Sequence, residues 1–161
     1  MESIITAATV LTMYFNAINS TDVNYLYNAD MEDGVVNKIE VYQQQDDQQM
    51  AQKMEYRYEY DAEGRLTSKE LMSWDEATKS WTQNMRLTYK YYKNGYNVEV
   101  SKWDGEKQAY DLPSEVTLYR AVAPNLTSVK TYRMNETKDN MYLSSRMMVM
   151  ESLDSRLLAV R

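Results

Sequence analysis

Two residue types that many enzymes depend on are missing from this chain. It has no cysteine, which excludes a disulfide framework, a thiolate metal site and a cysteine nucleophile. It has no histidine, which removes the usual general base, the commonest metal ligand and every Ser-His-Asp or Cys-His arrangement. Catalysis would have to rest on carboxylates, Lys, Tyr or Arg alone. Glycine is scarce, with four copies, each at or near a turn signal, so no glycine-rich loop is available to cradle a phosphate. The sequence therefore predicts no enzyme activity, no catalytic residue, no metal and no cofactor.

Phenylalanine occurs once, and Ile, Leu, Val and Phe together make 29 of 161 residues. A share this low often accompanies disorder. Here 15 Tyr, 12 Met and 3 Trp make up the shortfall. Tyr suits a surface that is apolar on its body and wet at its tip, as on a sheet that is only partly covered. The charge is −6, from 18 basic and 24 acidic residues, with no basic stripe. That argues against nucleic acid and against anionic membrane surfaces.

Residues 4–18 read IITAATVLTMYFNAI and carry no charge. The run is too short to cross a bilayer, so no integral span is expected. Its length suits the apolar region of a secretory signal peptide, but no basic stretch precedes it and the A-x-A cleavage pattern is poor. The alternative is an N-terminal helix or strand of the folded domain. The chain thus divides into residues 1–20, a signal-like or N-terminal apolar segment, and residues 21–161, a single β-repeat domain.

Self-similarity organises the rest. Turn signals recur at Asp33-Gly34, Glu63-Gly64, Asn94-Gly95 and Pro124-Asn125, spaced by 30, 31 and 30 residues. Each can place Gly or Asn at positive φ at little cost. Midway between them lie longer loops, KELMSWDEATKSW at 69–81, VEVSKWDGEKQAY at 98–110 and VKTYRMNETKDNM at 129–141. Each pairs two large residues seven positions apart: Trp74 with Trp81, Trp103 with Tyr110, Met134 with Met141. IEVYQQQDDQQM at 39–50 reads as a degenerate first copy with a Gln-rich loop.

Periodicity between the turns is 2, not 3.6. Met85, Leu87, Tyr89 and Tyr91 alternate with Asn84, Arg86, Thr88 and Lys90, and Tyr56, Tyr58 and Tyr60 alternate with Glu55, Arg57 and Glu59. Strands are expected near 24–29, 35–43, 51–60, 65–74, 81–92, 96–103, 110–121, 126–134 and 141–151, with Pro113 and Ser114 bulging the seventh. Residues 152–161 could add a short tenth. A two-residue Asn94-Gly95 loop would set Tyr91 against Val98, Lys90 against Glu99 and Arg86 against Trp103. At Asp61–Gly64, a type I turn with a glycine bulge would set Tyr60 against Leu66. The fold class is all-β: an antiparallel meander of about four hairpin repeats, as an open curved sheet or a partly closed barrel.

The run YDAEGRL at 60–66 resembles the turn of YD-type β-hairpin repeats. From about Tyr25 to Glu151 the order of elements resembles a secreted family from gut Bacteroidetes catalogued as domain of unknown function 3836. The resemblance is carried by YNADMEDG at 27–34, YEYDAEGRLTSKELMSW at 58–74 and the W-D…W/Y loops. The chain departs from it in its Gln-rich first loop and in Met134 and Met141. The resemblance implies a β-sheet fold and a secreted, periplasmic or cell-envelope location. It implies no activity.

Aromatics beside carboxylates are a common way to hold sugars, so Trp74, Asp75, Trp81, Arg86, Trp103, Asp104 and Tyr110 form the candidate ligand-binding set along the long-loop edge. The competing reading is structural, with each aromatic pair clamping its own hairpin. Arg86 could stack on Trp103. Asn28, Asp30, Glu32 and Asp33 resemble a calcium loop, but the glycine comes too late and the bidentate Glu is misplaced. The functional expectation is a non-catalytic binding module for a glycan or protein partner at the cell surface. The alternatives are a carrier of lipid or a small apolar ligand in a closed barrel, and a carboxylate-based hydrolase.

Overall fold

The computed structural model describes residues 4–20, 24–46 and 49–150. One helix, α1 (Ala7–Ile18), precedes ten strands: β1 (Tyr25–Glu32), β2 (Val35–Gln44), β3 (Met50–Tyr60), β4 (Leu66–Asp75), β5 (Ser80–Tyr92), β6 (Gly95–Asp104), β7 (Ala109–Tyr110), β8 (Glu115–Ala123), β9 (Leu126–Met134) and β10 (Met141–Met150). They form one antiparallel sheet in sequence order from β1 to β10, with the short β7 attached to β6 off the main path. Among the described residues β1 and β10 are the two edges and do not meet, so the sheet is open. The open sheet removes the closed wall on which the apolar-carrier alternative rested. Residues 152–161, where a further strand was expected, lie outside the described residues.

The two kinds of connection alternate as the repeat predicts. At one end of the sheet Asp33 and Gly34, with φ of 50° and 78°, turn β1 into β2. At Asp61–Gly64 the turn closes with the bulge expected there, and Tyr60 pairs with Leu66. The other end carries the long loops, and Trp74 pairs with Trp81, Trp103 with Tyr110 and Met134 with Met141.

Two local expectations need correction. The β5–β6 loop is Lys93-Asn94, not Asn94-Gly95, so Tyr92 pairs with Gly95, Tyr91 with Tyr96 and Arg86 with Ser101 rather than Trp103. A shift of two residues keeps every side chain on its expected face. The Lys90–Glu99 ion pair survives as a diagonal contact at 2.7 Å. The seventh expected strand is broken rather than bulged. Pro113 has no N–H to give to a ladder, and the strand is interrupted between β7 and β8, although Asp111 and Ser114 still donate to the Lys102 and Val100 carbonyls of β6.

Within residues 4–18, Ala7–Ile18 form the one helix among the described residues. Its start is set by a capping box in which Thr6 and Thr9 each accept the other's backbone N–H. Val10 is buried on the sheet with Val36, Ile39, Val41, Leu66, Tyr89 and Tyr96. Burying one such aliphatic side chain contributes about 1.5–3 kcal/mol. The strand-like segment before the helix is stitched to the β3–β4 turn. Ala7 donates to the Gly64 carbonyl at 3.0 Å and Leu66 donates to the Ile5 carbonyl at 2.8 Å.

Tyr does what the composition implied, filling the helix-covered face while its hydroxyl ties backbone. The Tyr60 hydroxyl donates to the Val36 carbonyl at 2.8 Å. The Tyr91 hydroxyl donates to the carbonyls of Leu66, at 2.7 Å, and Ile5, at 3.1 Å. The opposite face is an ionic ladder, with Arg57 against Glu55 at 2.5 Å, Arg86 against Glu70 and Lys38 against Glu40 at 3.0 Å.

Candidate functional site

The long-loop end gathers every candidate residue except Arg86, which lies midway along β5. Trp74 ends β4 and Trp81 begins β5, and their rings meet edge to face with centroids 5.1 Å apart. Trp103 and Tyr110 repeat the arrangement at 5.0 Å. Such pairs contribute about 0.5–1.5 kcal/mol beyond the area they bury. Each therefore closes the mouth of its own hairpin.

The carboxylates beside them are committed to the loops. Asp75 Oδ1 accepts the backbone N–H of Ala77 at 2.8 Å and of Thr78 at 3.4 Å. Those amides, Ala77 first, hold its carboxyl below the ordinary range. Asp104 Oδ1 accepts from Glu106 at 2.9 Å and Lys107 at 3.1 Å. The Lys107 ammonium, with those amides, brings its pKa down to about 2. In the third loop Asn135 Oδ1 accepts from Asp139 and Asn140. The Asp or Asn after each first large residue is thus a loop cap.

Arg86 stacks on Tyr110, with Cζ 4.1 Å from the ring centroid, instead of on Trp103. Its Nε also donates to Glu70 Oε1 at 3.0 Å. The Tyr110 hydroxyl is buried without a hydrogen-bond partner among the described residues. Burial, then the nearby Glu70 charge, raises its pKa. These groups form a lid over the ionic face, not an open hand for a ligand.

Of the candidate set, Trp74 lines an open cleft. The cleft holds about 470 Å³ between the β2–β3 and β4–β5 loops, walled by Tyr42, Gln45, Gln49, Gln52, Trp74 and Glu76. The Trp74 indole donates to Glu76 at 3.1 Å, and Glu76 is paired to Lys79. The Gln-rich loop, read from sequence as a degraded repeat, supplies the opposite wall. Its run of amides was the available signal. Among the described residues no group of three or more acidic side chains could hold a metal ion, and Asp30, Glu32 and Asp33 form no such group.

Fold and site define a class, the open meander of hairpin repeats with tight turns at one end and capped aromatic loops at the other. The chain belongs to the family of unknown function DUF3836, whose model matches residues 2–121. A protein of unknown function from Bacteroides fragilis NCTC 9343 has a solved structure similar to this one. It shares 25% identity with a TM-score of 0.69, over 78% of this chain and 91% of that one. A DUF3836 family protein from Bacteroides vulgatus ATCC 8482 shares 27% identity with a TM-score of 0.56, over 59% of this chain and 97% of that one. No curated protein matches the chain.

Proposed function

We propose that this protein is a secreted or envelope-associated, non-catalytic module that binds carbohydrate in the Trp74 cleft. The observation that carries the reading is the lining of that cleft. An indole on one hairpin faces a phenol and amide side chains on the next, and the amides can both donate to and accept from sugar hydroxyls. Its volume falls within the usual range for small-ligand sites. The carboxylates of Asp75 and Asp104 support the loops and take no part.

Glycan-array screening followed by calorimetry tests this with Trp74→Ala and, as a control that leaves the cleft lining intact, Trp103→Ala. The expected result is saturable binding that is lost in the first variant and kept in the second. Equal binding by both, or no glycan bound by the unaltered chain, overturns the site. Fractionation of the source cells tests the location, and recovery in the cytoplasm would sink that half of the proposal.

A further inference from the structure

A second groove, of about 450 Å³, lies where β6, the β7–β8 segment and the β9–β10 loop meet, and it shares no lining residue with the Trp74 cleft. Its frame is a chain of charges joining separate loops. Asp111 accepts Lys107 Nζ at 2.8 Å on one oxygen and Lys138 Nζ at 3.0 Å on the other, and Lys107 also pairs with Asp104 at 2.8 Å. Lys107 holds the pKa of Asp111 below the ordinary range, as it does that of Asp104. The frame therefore stays ionised and self-neutralised through the neutral range.

Two lining charges stand outside this frame. Among the described residues Lys102 has no carboxylate, and Glu136 no cation, at ion-pair distance. The remaining polar lining is engaged, with Ser114 bonded to the Val100 carbonyl and Asn135 capping its loop. Leu112 and Met134 supply the apolar wall. The groove thus offers one open cation, one open anion and an aliphatic surface.

We infer that this groove binds a free α-amino acid with an apolar side chain. The ligand carboxylate meets Lys102, its ammonium meets Glu136, and its side chain lies on Leu112 and Met134. A simple carboxylate would leave Glu136 without its cation, and an amine would leave Lys102 without its anion. A peptide end carries only one of the two charges. A neutral sugar uses neither.

The test is titration of the isotope-labelled full chain with L-leucine, followed by amide shifts in two-dimensional NMR. L-Leucinamide, which lacks the carboxylate, and 4-methylpentanoate, which lacks the ammonium, are the comparison ligands. Leucine should give saturable shifts around Lys102, Leu112 and Met134 below about 10 mM. Each comparison ligand, and each of Lys102→Gln and Glu136→Gln, should bind about tenfold or more weakly. Both replaced side chains are exposed, and the same spectra report whether the fold persists. No saturable shift with leucine, equal binding of 4-methylpentanoate, or unchanged affinity in either variant overturns the inference.

Discussion

A Cβ placed on Gly95 would stand 1.9 Å from the carbonyl oxygen of Tyr119. Gly95 opens β6 and pairs with Arg120 of β8, so the obstacle is backbone held in the ladder, which cannot rotate away. Its φ of 147° is also unfavourable for any L side chain. Gly95→Ala should lose about 2–3 kcal/mol or more of stability in urea unfolding. Gly64→Ala meets nothing within 4 Å and carries only the positive-φ penalty of about 1 kcal/mol. Equal losses at the two sites would contradict the close approach.

Lys69 rests against aromatic rings, with no acid at ion-pair distance among the described residues, its ammonium 4.5 Å from the Tyr56 centroid and 5.8 Å from that of Tyr58. Burial lowers its pKa, so the charged form is less well solvated there than in the unfolded chain, despite the rings. Lys69→Met keeps most of the aliphatic stem and removes the charge. It should raise stability at neutral pH by up to about 1 kcal/mol in chemical denaturation. A clear loss would mean that the ring contacts outweigh the desolvation.

Burial raises the pKa of Tyr60, Tyr91 and Tyr96 to about 12, and that of Tyr58 further. An acid whose folded pKa is raised stabilises the fold fully below its unfolded pKa, and that contribution is lost as pH rises towards the folded value. Stability should therefore fall from about pH 10 upward, the ordinary tyrosine value. Tyrosinate absorbance near 295 nm should show these four still protonated at about pH 11 while the fold persists. Their ionisation at about pH 10 in folded protein would refute the burial argument.

At the acid end the sign reverses. Asp104 titrates at about 2 in the fold, against 3.8 ordinarily. Its stabilisation is present above the ordinary value and fades as pH falls towards about 2. Asp104→Asn should keep the loop, because Asn135 caps the third loop in the same way. It should also flatten the melting temperature between about pH 4 and pH 2. Asp104→Ala removes the cap and should melt lower at neutral pH. Matching melting temperatures for the alanine variant and the unaltered chain would rule out the capping role.

Architecture was readable because its signals are local. Alternation set the faces of β3 and β5, and the 30-residue period located the turns. The β5–β6 register slipped because Asn-Gly is the commonest signature of a two-residue turn, whereas Gly95 is required by β8, which lies 20 residues further along. The Arg86 partner was misplaced with it. Trp74 was found, but its cleft was not, since the facing Gln-rich loop is brought opposite by the packing of two neighbouring hairpins. Asp75 and Asp104 looked like ligand hands because a one-dimensional reading shows a carboxylate's neighbours and not the amides it already holds.

The two ends of the meander answer to different constraints. At the tight-turn end, Ile5 and Ala7 are bonded to the β3–β4 turn, and Gly95 is locked against β8, so a change there is felt across several strands. At the other end the β4–β5 loop carries its own cap, ring pair and ion pair within one hairpin, whereas the later loops are tied together through Lys107, Asp111 and Lys138. Sites without shared partners change stability additively. The β4–β5 loop can therefore be rewritten by itself against an unchanged frame, as an exchangeable tip is fitted to a handle, whereas the later loops have to change together.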